Sequence, residues 1–67
     1  GDGEEFVFLI NQSEEEIHPS VKVELSLNGA VTEIRTGEVQ QDTEEKLFRW
    51  SGIIEPQGVR VFHIEKM

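Results

Sequence analysis

The sequence predicts an all-β fold, a small antiparallel β-sandwich with Greek-key-like connections and about six to seven short strands. Apolar residues recur at every second position in several short segments, which is the periodicity of a strand with one buried face. Gly, Pro, Asn and Asp interrupt these segments at regular intervals, as residues of tight turns do. No segment combines the apolar period of an α-helix with helix caps, so no helix is predicted.

The chain is expected to form one domain, residues 1–67, and a small one. A domain of this length buries only about 60% of the surface that its unfolded chain exposes, so we expect marginal stability. Residues 1–4 are expected to be a flexible lead-in. Because the sequence begins at Gly1 without an initiator Met or a signal peptide, we expect it to be part of a larger protein.

The chain is strongly acidic, with 14 Asp and Glu residues, 6 Lys and Arg residues and a net charge of −8. Nucleic acids and membrane surfaces are therefore not expected as partners, because Lys and Arg provide most of the attraction to phosphates and anionic lipids. There is no Cys, so neither a disulfide framework nor a thiolate metal site is expected. The lack of Cys and of a signal peptide favours a cytoplasmic location.

Six segments are predicted as strands, at residues 5–12, 20–27, 30–35, 39–41, 46–50 and 59–65. In the first, Phe6, Phe8 and Ile10 alternate with Val7 and Leu9, so both faces of the strand are apolar. This pattern predicts a central strand that is covered on both sides. The expected core draws on the first, second and last strands: Phe6, Phe8, Val21, Val23, Leu25, Val59 and Val61.

Two turns are predicted from their residue types. Asn28 and Gly29 are the favoured pair for a two-residue type I′ hairpin, which would join the second strand to the third. Pro56 and Gly58 precede the last strand, where a turn needs one residue of fixed φ and one that tolerates positive φ. The sequence therefore predicts a tight turn leading into the closing strand.

No catalytic, metal or cofactor site is predicted. The acidic runs at residues 14–16 and 44–45 lie in loops without the ligand spacing of a calcium site, and carboxylates in such loops are usually solvated. His18 and His63 are far apart and have no metal-ligand spacing. No Ser lies in a nucleophile-elbow motif. We therefore expect that this chain alone is not an enzyme.

Trp50 has two interpretations. Proteins that bind carbohydrates stack sugar rings on exposed aromatic faces, and a Trp near a strand end can act in this way. Such platforms usually combine several aromatic residues, and the chain has no Tyr. Phe48 shares the strand face of Trp50, which favours packing in the core or at an interface. Packing is therefore the main prediction for Trp50, and contact with a sugar is the alternative.

Three segments, in order along the chain, resemble phrases of the C-terminal β-domains of glycoside hydrolases. Residues 6–13, FVFLINQS, are similar to F-x-F-L-x-N-x-[ST]. Residues 31–38, VTEIRTGE, are similar to x-x-D-L-L-T-G-E, with Glu33 in place of the usual Asp. Residues 54–62, IEPQGVRVF, are similar to L-x-P-[YQ]-G-V-x-V-[LF]. The chain most resembles the C-terminal domain of bacterial β-galactosidases of glycoside hydrolase family 42, and next the C-terminal sandwich of the α-amylase clan.

This resemblance implies a non-catalytic structural domain that stabilises, or docks on, the catalytic barrel of a β-galactosidase-like enzyme. The catalytic carboxylates would lie on that barrel, so the catalytic domain is the implied partner and no cofactor is expected. The alternative is a carbohydrate-binding module that uses Trp50 to contact sugar.

Overall fold

The computed structural model describes residues 3–66, which form six antiparallel strands in two sheets and no helix. The prediction of a small all-β sandwich is therefore confirmed. Glu4, predicted in the lead-in, belongs to the first strand, while Gly1 and Asp2 lie outside the described residues. The strands are β1 (Glu4–Ile10), β2 (Ser20–Glu24), β3 (Gly29–Glu33), β4 (Val39–Asp42), β5 (Leu47–Ser51) and β6 (Val59–Lys66).

The strands divide into a larger sheet, of order β1–β6–β3–β4, and a smaller sheet that contains β2 and β5. Only the connection between β3 and β4 stays within one sheet, whereas the other four pass from one sheet to the other. β6 pairs with both β1 and β3, so it lies inside the larger sheet. β1 and β4 form the two edges of that sheet.

The predicted hairpin at Asn28 and Gly29 is wrong. β2 pairs with β5, and Gly29 begins β3 opposite Lys66 of β6. Pairing with β5 places the inward side chains of β2 beside Phe48 and Trp50, and this burial outweighs the turn preference of two residues. Glycine is still required at position 29, because a Cβ atom there would lie 2.0 Å from the backbone carbonyl oxygen of Glu65.

The core lies between the two sheets. Phe48 of β5 and Phe62 of β6 are fully buried, and their ring centroids lie 4.9 Å apart in a tilted arrangement. Such tilted contacts are favoured between aromatic rings, so this pair fastens one sheet to the other. The other buried residues of the cluster are Val7, Leu25, Val31 and Ile64.

The predicted core is correct at Leu25 and wrong at Phe6, Phe8 and Val59, which are exposed. β1 is an edge strand rather than a central one, and its inward side carries the smaller Val7. Since β1 is apolar on both faces, its own pattern does not decide which face meets the second sheet. The remaining predicted core residues are half-buried: Val21, Val23 and Val61.

A β-turn precedes β6, as predicted, but Gly58 does not have the positive φ expected of it. The N–H of Gly58 donates to the carbonyl oxygen of Glu55 at 2.9 Å, which closes the turn. Gln57 is the residue with positive φ, at 59°, in the position where a type II turn requires it. Glycine is needed at 58 for space, because a Cβ atom there would lie 2.8 Å from the Glu55 carbonyl oxygen.

Asn11 fixes the chain at the end of β1. Its side chain is buried, and Nδ2 donates to the carbonyl oxygens of Glu15, Ile54 and Glu55. Its Oδ1 accepts hydrogen bonds from both the N–H and the hydroxyl of Ser13. Because both ends of the amide are hydrogen-bonded, these bonds offset the desolvation cost of burying the group, and they connect β1 to the segment before β6.

Candidate functional site

The larger sheet turns one side away from the smaller sheet, and we call this side the outer face. Alternate side chains of a strand point to opposite sides, so half of each strand of the larger sheet belongs to the outer face. The strand pairing arranges these residues in rows across the sheet. The rows are Glu4, Glu65, Ala30 and Asp42; then Phe6, His63, Thr32 and Val39; then Phe8 and Val61; and last Ile10 and Val59.

Seven of the twelve outer-face residues are apolar, and five of these seven are exposed. Phe6, Phe8 and Ile10 are 47%, 61% and 60% exposed. Since a Phe side chain presents about 200 Å² when fully accessible, the two Phe residues alone expose about 200 Å². Val59 is exposed as well and lies opposite Ile10, which extends the patch onto β6. A contiguous apolar patch of several hundred Å² is typical of an interaction surface.

One end of the outer face is acidic. Glu4 and Glu65 lie directly opposite each other, and Asp42 belongs to the same row. Opposed like charges repel, and the Glu4 carboxylate also lies within hydrogen-bond distance of His63 in the next row, with 2.9 Å between Oε2 and Nε2. The His63 ring also packs on Phe6, with centroids 4.8 Å apart. The outer face is therefore an apolar surface with an acidic border.

Trp50 lies on the inner side of the smaller sheet and is half-buried. Its ring centroid is 5.5 Å from that of Phe62. The ring also lies so close to Gly52 that a Cβ atom there would be 2.7 Å from it. The remaining surface borders a shallow, open depression of about 400 Å³, beside Lys22 and Arg49. The structure places Trp50 in packing contacts, and its contact with a sugar stays a prediction.

Glu55 is the centre of an ion-pair network beside β6. One carboxylate oxygen lies 2.8 Å from the Arg60 guanidinium, and the other lies 2.9 Å from that of Arg35. The hydrogen bond from Arg60, reinforced by a backbone hydrogen bond and by Arg35, lowers the pKa of Glu55 to about 2. The same bond raises the pKa of Arg60. Such a firmly ionised carboxylate is a structural acceptor and cannot act as a general acid at neutral pH.

The residues considered for metal binding do not converge. His18 pairs with Glu16 at 3.0 Å on an exposed connection, whereas His63 belongs to the outer face. Within residues 3–66, no group of three or more His, Cys, Asp or Glu residues is placed to hold a metal ion. Glu33 is buried, and one of its oxygens accepts hydrogen bonds from the N–H and the hydroxyl of Thr36. These bonds close the turn after β3, which gives Glu33 a structural role.

The sequence pattern did not reveal the outer face. The only sequence feature that indicates the outer face is that β1 is apolar on both faces, and the same pattern is typical of a strand covered on both sides. A docking face and a second core face have the same composition, so only the arrangement of the two sheets distinguishes them. The smaller sheet covers one side of the larger sheet, and the other face of β1 is therefore a surface.

Residues 3–66 contain no helix of the length and apolar character that a membrane crossing requires. No protein-family model, curated protein or solved structure matches the chain. The likeness to glycoside hydrolase C-terminal domains therefore rests on the three sequence segments alone.

Proposed function

We propose that this chain is a non-catalytic accessory domain whose outer face packs on the catalytic barrel of a β-galactosidase-like glycoside hydrolase. The observation that carries the proposal is the exposed apolar surface built by Phe6, Phe8 and Ile10. A domain with so small a core gains stability when such a surface is covered by a neighbour. Interfaces between domains of one chain bury about 600–1,500 Å², and a four-stranded sheet face is large enough for the lower part of that range.

The resembling segments support the hydrolase part of the proposal by their position. Residues 6–13 form most of β1 and the Asn11 network, and residues 54–62 form the turn and the first half of β6. β1 and β6 are adjacent strands, and together they supply the most exposed apolar rows of the outer face. Two of the three segments that resemble hydrolase domains thus build most of the proposed docking surface.

A second copy of this chain is a less favourable occupant of the outer face than a catalytic domain. Each copy carries a net charge of −8, and close approach of two such surfaces costs electrostatic free energy. The border formed by Glu4, Glu65 and Asp42 adds to this repulsion. A neighbour that is neutral or basic around an apolar centre avoids both costs.

The experiment uses the full natural polypeptide that contains this sequence, with Phe6→Ser and Phe8→Ser combined. We expect the double variant to lower the Tm of the natural polypeptide by several degrees, because the interface loses about 200 Å² of apolar contact. The same change in the 67-residue chain alone is expected to alter its Tm much less, since both side chains are already exposed there. Ile53→Ser is the matched control, since Ile53 is exposed but lies outside the outer face.

Two results would contradict the proposal. An unchanged Tm of the natural polypeptide would mean that the outer face is not covered. A natural polypeptide without any activity on β-galactosides, in an assay with a chromogenic galactoside, would remove the hydrolase assignment and leave only the docking surface.

An NMR titration of the 67-residue chain with galactose, lactose and a β-galactan tests the carbohydrate-binding alternative. We expect no localised amide shifts at millimolar sugar, because the Trp50 ring already packs against Phe62 and Gly52. Shifts confined to Trp50 and its neighbours would replace the docking function by a sugar-binding one.

A further inference from the structure

β1 has an edge that no described strand covers. At the start of its pairing with β6, the Gly3 carbonyl oxygen accepts from Lys66 N–H, and at the other end Asn11 N–H donates to Gly58. Hydrogen-bonded positions alternate along an antiparallel pair. These two bonds therefore show that the odd-numbered residues of β1 direct their N–H and C=O groups towards β6. The backbone groups that point to the open edge therefore belong to Glu4, Phe6, Phe8 and Ile10.

Apart from Glu4 and Glu5 at its start, this edge lacks the features that usually protect an edge strand, namely short length, bulges, charged residues and Pro. β1 spans seven residues in unbroken register with β6 and contains neither Lys nor Pro. The opposite edge of the same sheet, β4, has only four residues and a register shift against β3. Both strands of the smaller sheet also have an open edge, but β2 and β5 have only five residues each and carry Lys22 and Arg49. β1 is therefore the one long, unprotected edge among residues 3–66.

An apolar depression of about 220 Å³ lies beside this edge, between β1 and β2. Its lining includes Ile10 of β1, Ile17 and Pro19 of the connection that follows, and Ile54, which pairs with Ile17. In complexes formed by strand addition, backbone hydrogen bonds give affinity and side-chain pockets beside the edge give specificity. The depression is suited to an aliphatic side chain of an added strand.

Acidic groups flank the edge at both ends. Glu4 and Glu5 stand at the start of β1, where Glu5 is held by hydrogen bonds from the N–H and hydroxyl of Ser26. Glu14 and Glu16 stand in the exposed connection that follows β1. A second copy of β1 would bring acidic ends together in either direction. Charge complementarity instead selects a strand with Lys or Arg around an apolar centre.

We infer that the open edge of β1 binds an extended segment of a partner protein by strand addition, with an aliphatic side chain in the depression and basic residues at both ends. This site uses the backbone edge of β1, whereas the outer face uses side chains, although the depression shares Phe8 and Ile10 with the outer face. The occupant is therefore a peptide segment, whereas the outer face takes a folded surface. Different experiments test the two proposals, so each can be refuted without the other.

The probe is a synthetic nine-residue peptide of alternating Val and Thr with two Lys at each end, titrated into the 67-residue chain and followed by amide NMR. We expect the largest shifts at the amides of Phe6 and Phe8, with affinity that falls as salt is added. A peptide with Glu in place of every Lys is the matched control, and we expect it to bind at least about tenfold more weakly.

Backbone involvement is tested at Phe8, whose N–H is free of β6. Phe8→Pro removes this donor without removing a bond to β6, whereas Phe8→Ala loses the side chain and keeps the donor. We expect Phe8→Pro to weaken binding about tenfold relative to Phe8→Ala, because one hydrogen bond of the added strand is lost. A thermal melt checks that both variants fold, and the pair Phe6→Pro and Phe6→Ala replaces them if Phe8→Pro does not.

Equal binding by the Pro and Ala variants would overturn the inference, as would equal binding of the Lys and Glu peptides. No shifts at millimolar peptide would also overturn it. Sedimentation that shows a dimer displaced by the peptide would assign the edge to a second copy instead. None of these results depends on whether the outer face docks on a catalytic barrel.

Discussion

Val31 and Val39 test the division of the larger sheet into an inner and an outer face. The two residues are of one type on adjacent strands, but Val31 is fully buried and Val39 is 65% exposed. Val31→Ala removes two methylene equivalents from the core, worth about 1.6 kcal/mol in transfer free energy, and the cavity raises the total to about 2–3 kcal/mol. A 67-residue chain has a free energy of unfolding of about 3–10 kcal/mol, so this loss is a large fraction of it.

The assay is thermal and urea unfolding of the 67-residue chain, followed by circular dichroism. We expect Val31→Ala to lower Tm by about 10–20 °C, given about 4–8 °C for each kcal/mol in a domain of this size. Val39→Ala is the matched control, and we expect it to change the free energy of unfolding by less than about 0.5 kcal/mol. Similar losses in the two variants would refute the assignment of inner and outer faces.

Three further predictions concern single residues. In urea unfolding, Gly29→Ala should destabilise the chain more than Gly37→Ala does. A Cβ atom at position 29 would lie 2.0 Å from the Glu65 carbonyl oxygen, whereas at position 37 there is open space and the only cost is the positive φ of 76°. The reverse order would contradict the pairing of β3 with β6. Asn11→Ala should cost about 2–3 kcal/mol, because several buried carbonyl groups lose their donor, and a change below about 0.5 kcal/mol would contradict the network. The Glu55 carboxyl should titrate near pH 2 by NMR, below its ordinary value of 4.5, so its stabilising effect is complete above pH 4.5 and is lost as the pH falls towards 2. Glu55→Gln should lack this part of the acid destabilisation, and a carboxyl midpoint near 4.5 would contradict the ion pair with Arg60.

The strands were predictable from the sequence because their signals are local. Alternation in Val21, Val23 and Leu25 and the turn residues before β6 mark elements whose bounds agree with the structure to within a few residues. The presence of Phe48 and Trp50 on one strand face likewise predicted their packing on the core. Each of these signals lies within a few consecutive residues.

The sheet order was not predictable in the same way, because it depends on contacts between distant residues. The Asn28–Gly29 pair favours a hairpin, but the partner of β2 is β5, about twenty-five residues later. Because β1 is apolar on both faces, its pattern does not show whether it is a central or an edge strand. The core was predicted on the face with the larger Phe side chains, and this face is the exposed one. The outer face follows from the arrangement of the two sheets, in which the smaller sheet covers only one side of the larger sheet.

The central proposal is that a neighbouring domain covers the outer face of the larger sheet. Hydroxyl-radical footprinting with mass spectrometry tests it most directly, on the 67-residue chain and on the full natural polypeptide. Phe6 and Phe8 are predicted to be oxidised in the chain alone and protected in the natural polypeptide, while buried Phe48 and Phe62 stay protected in both and serve as an internal reference. Equal oxidation of Phe6 and Phe8 in the two samples would contradict the claim.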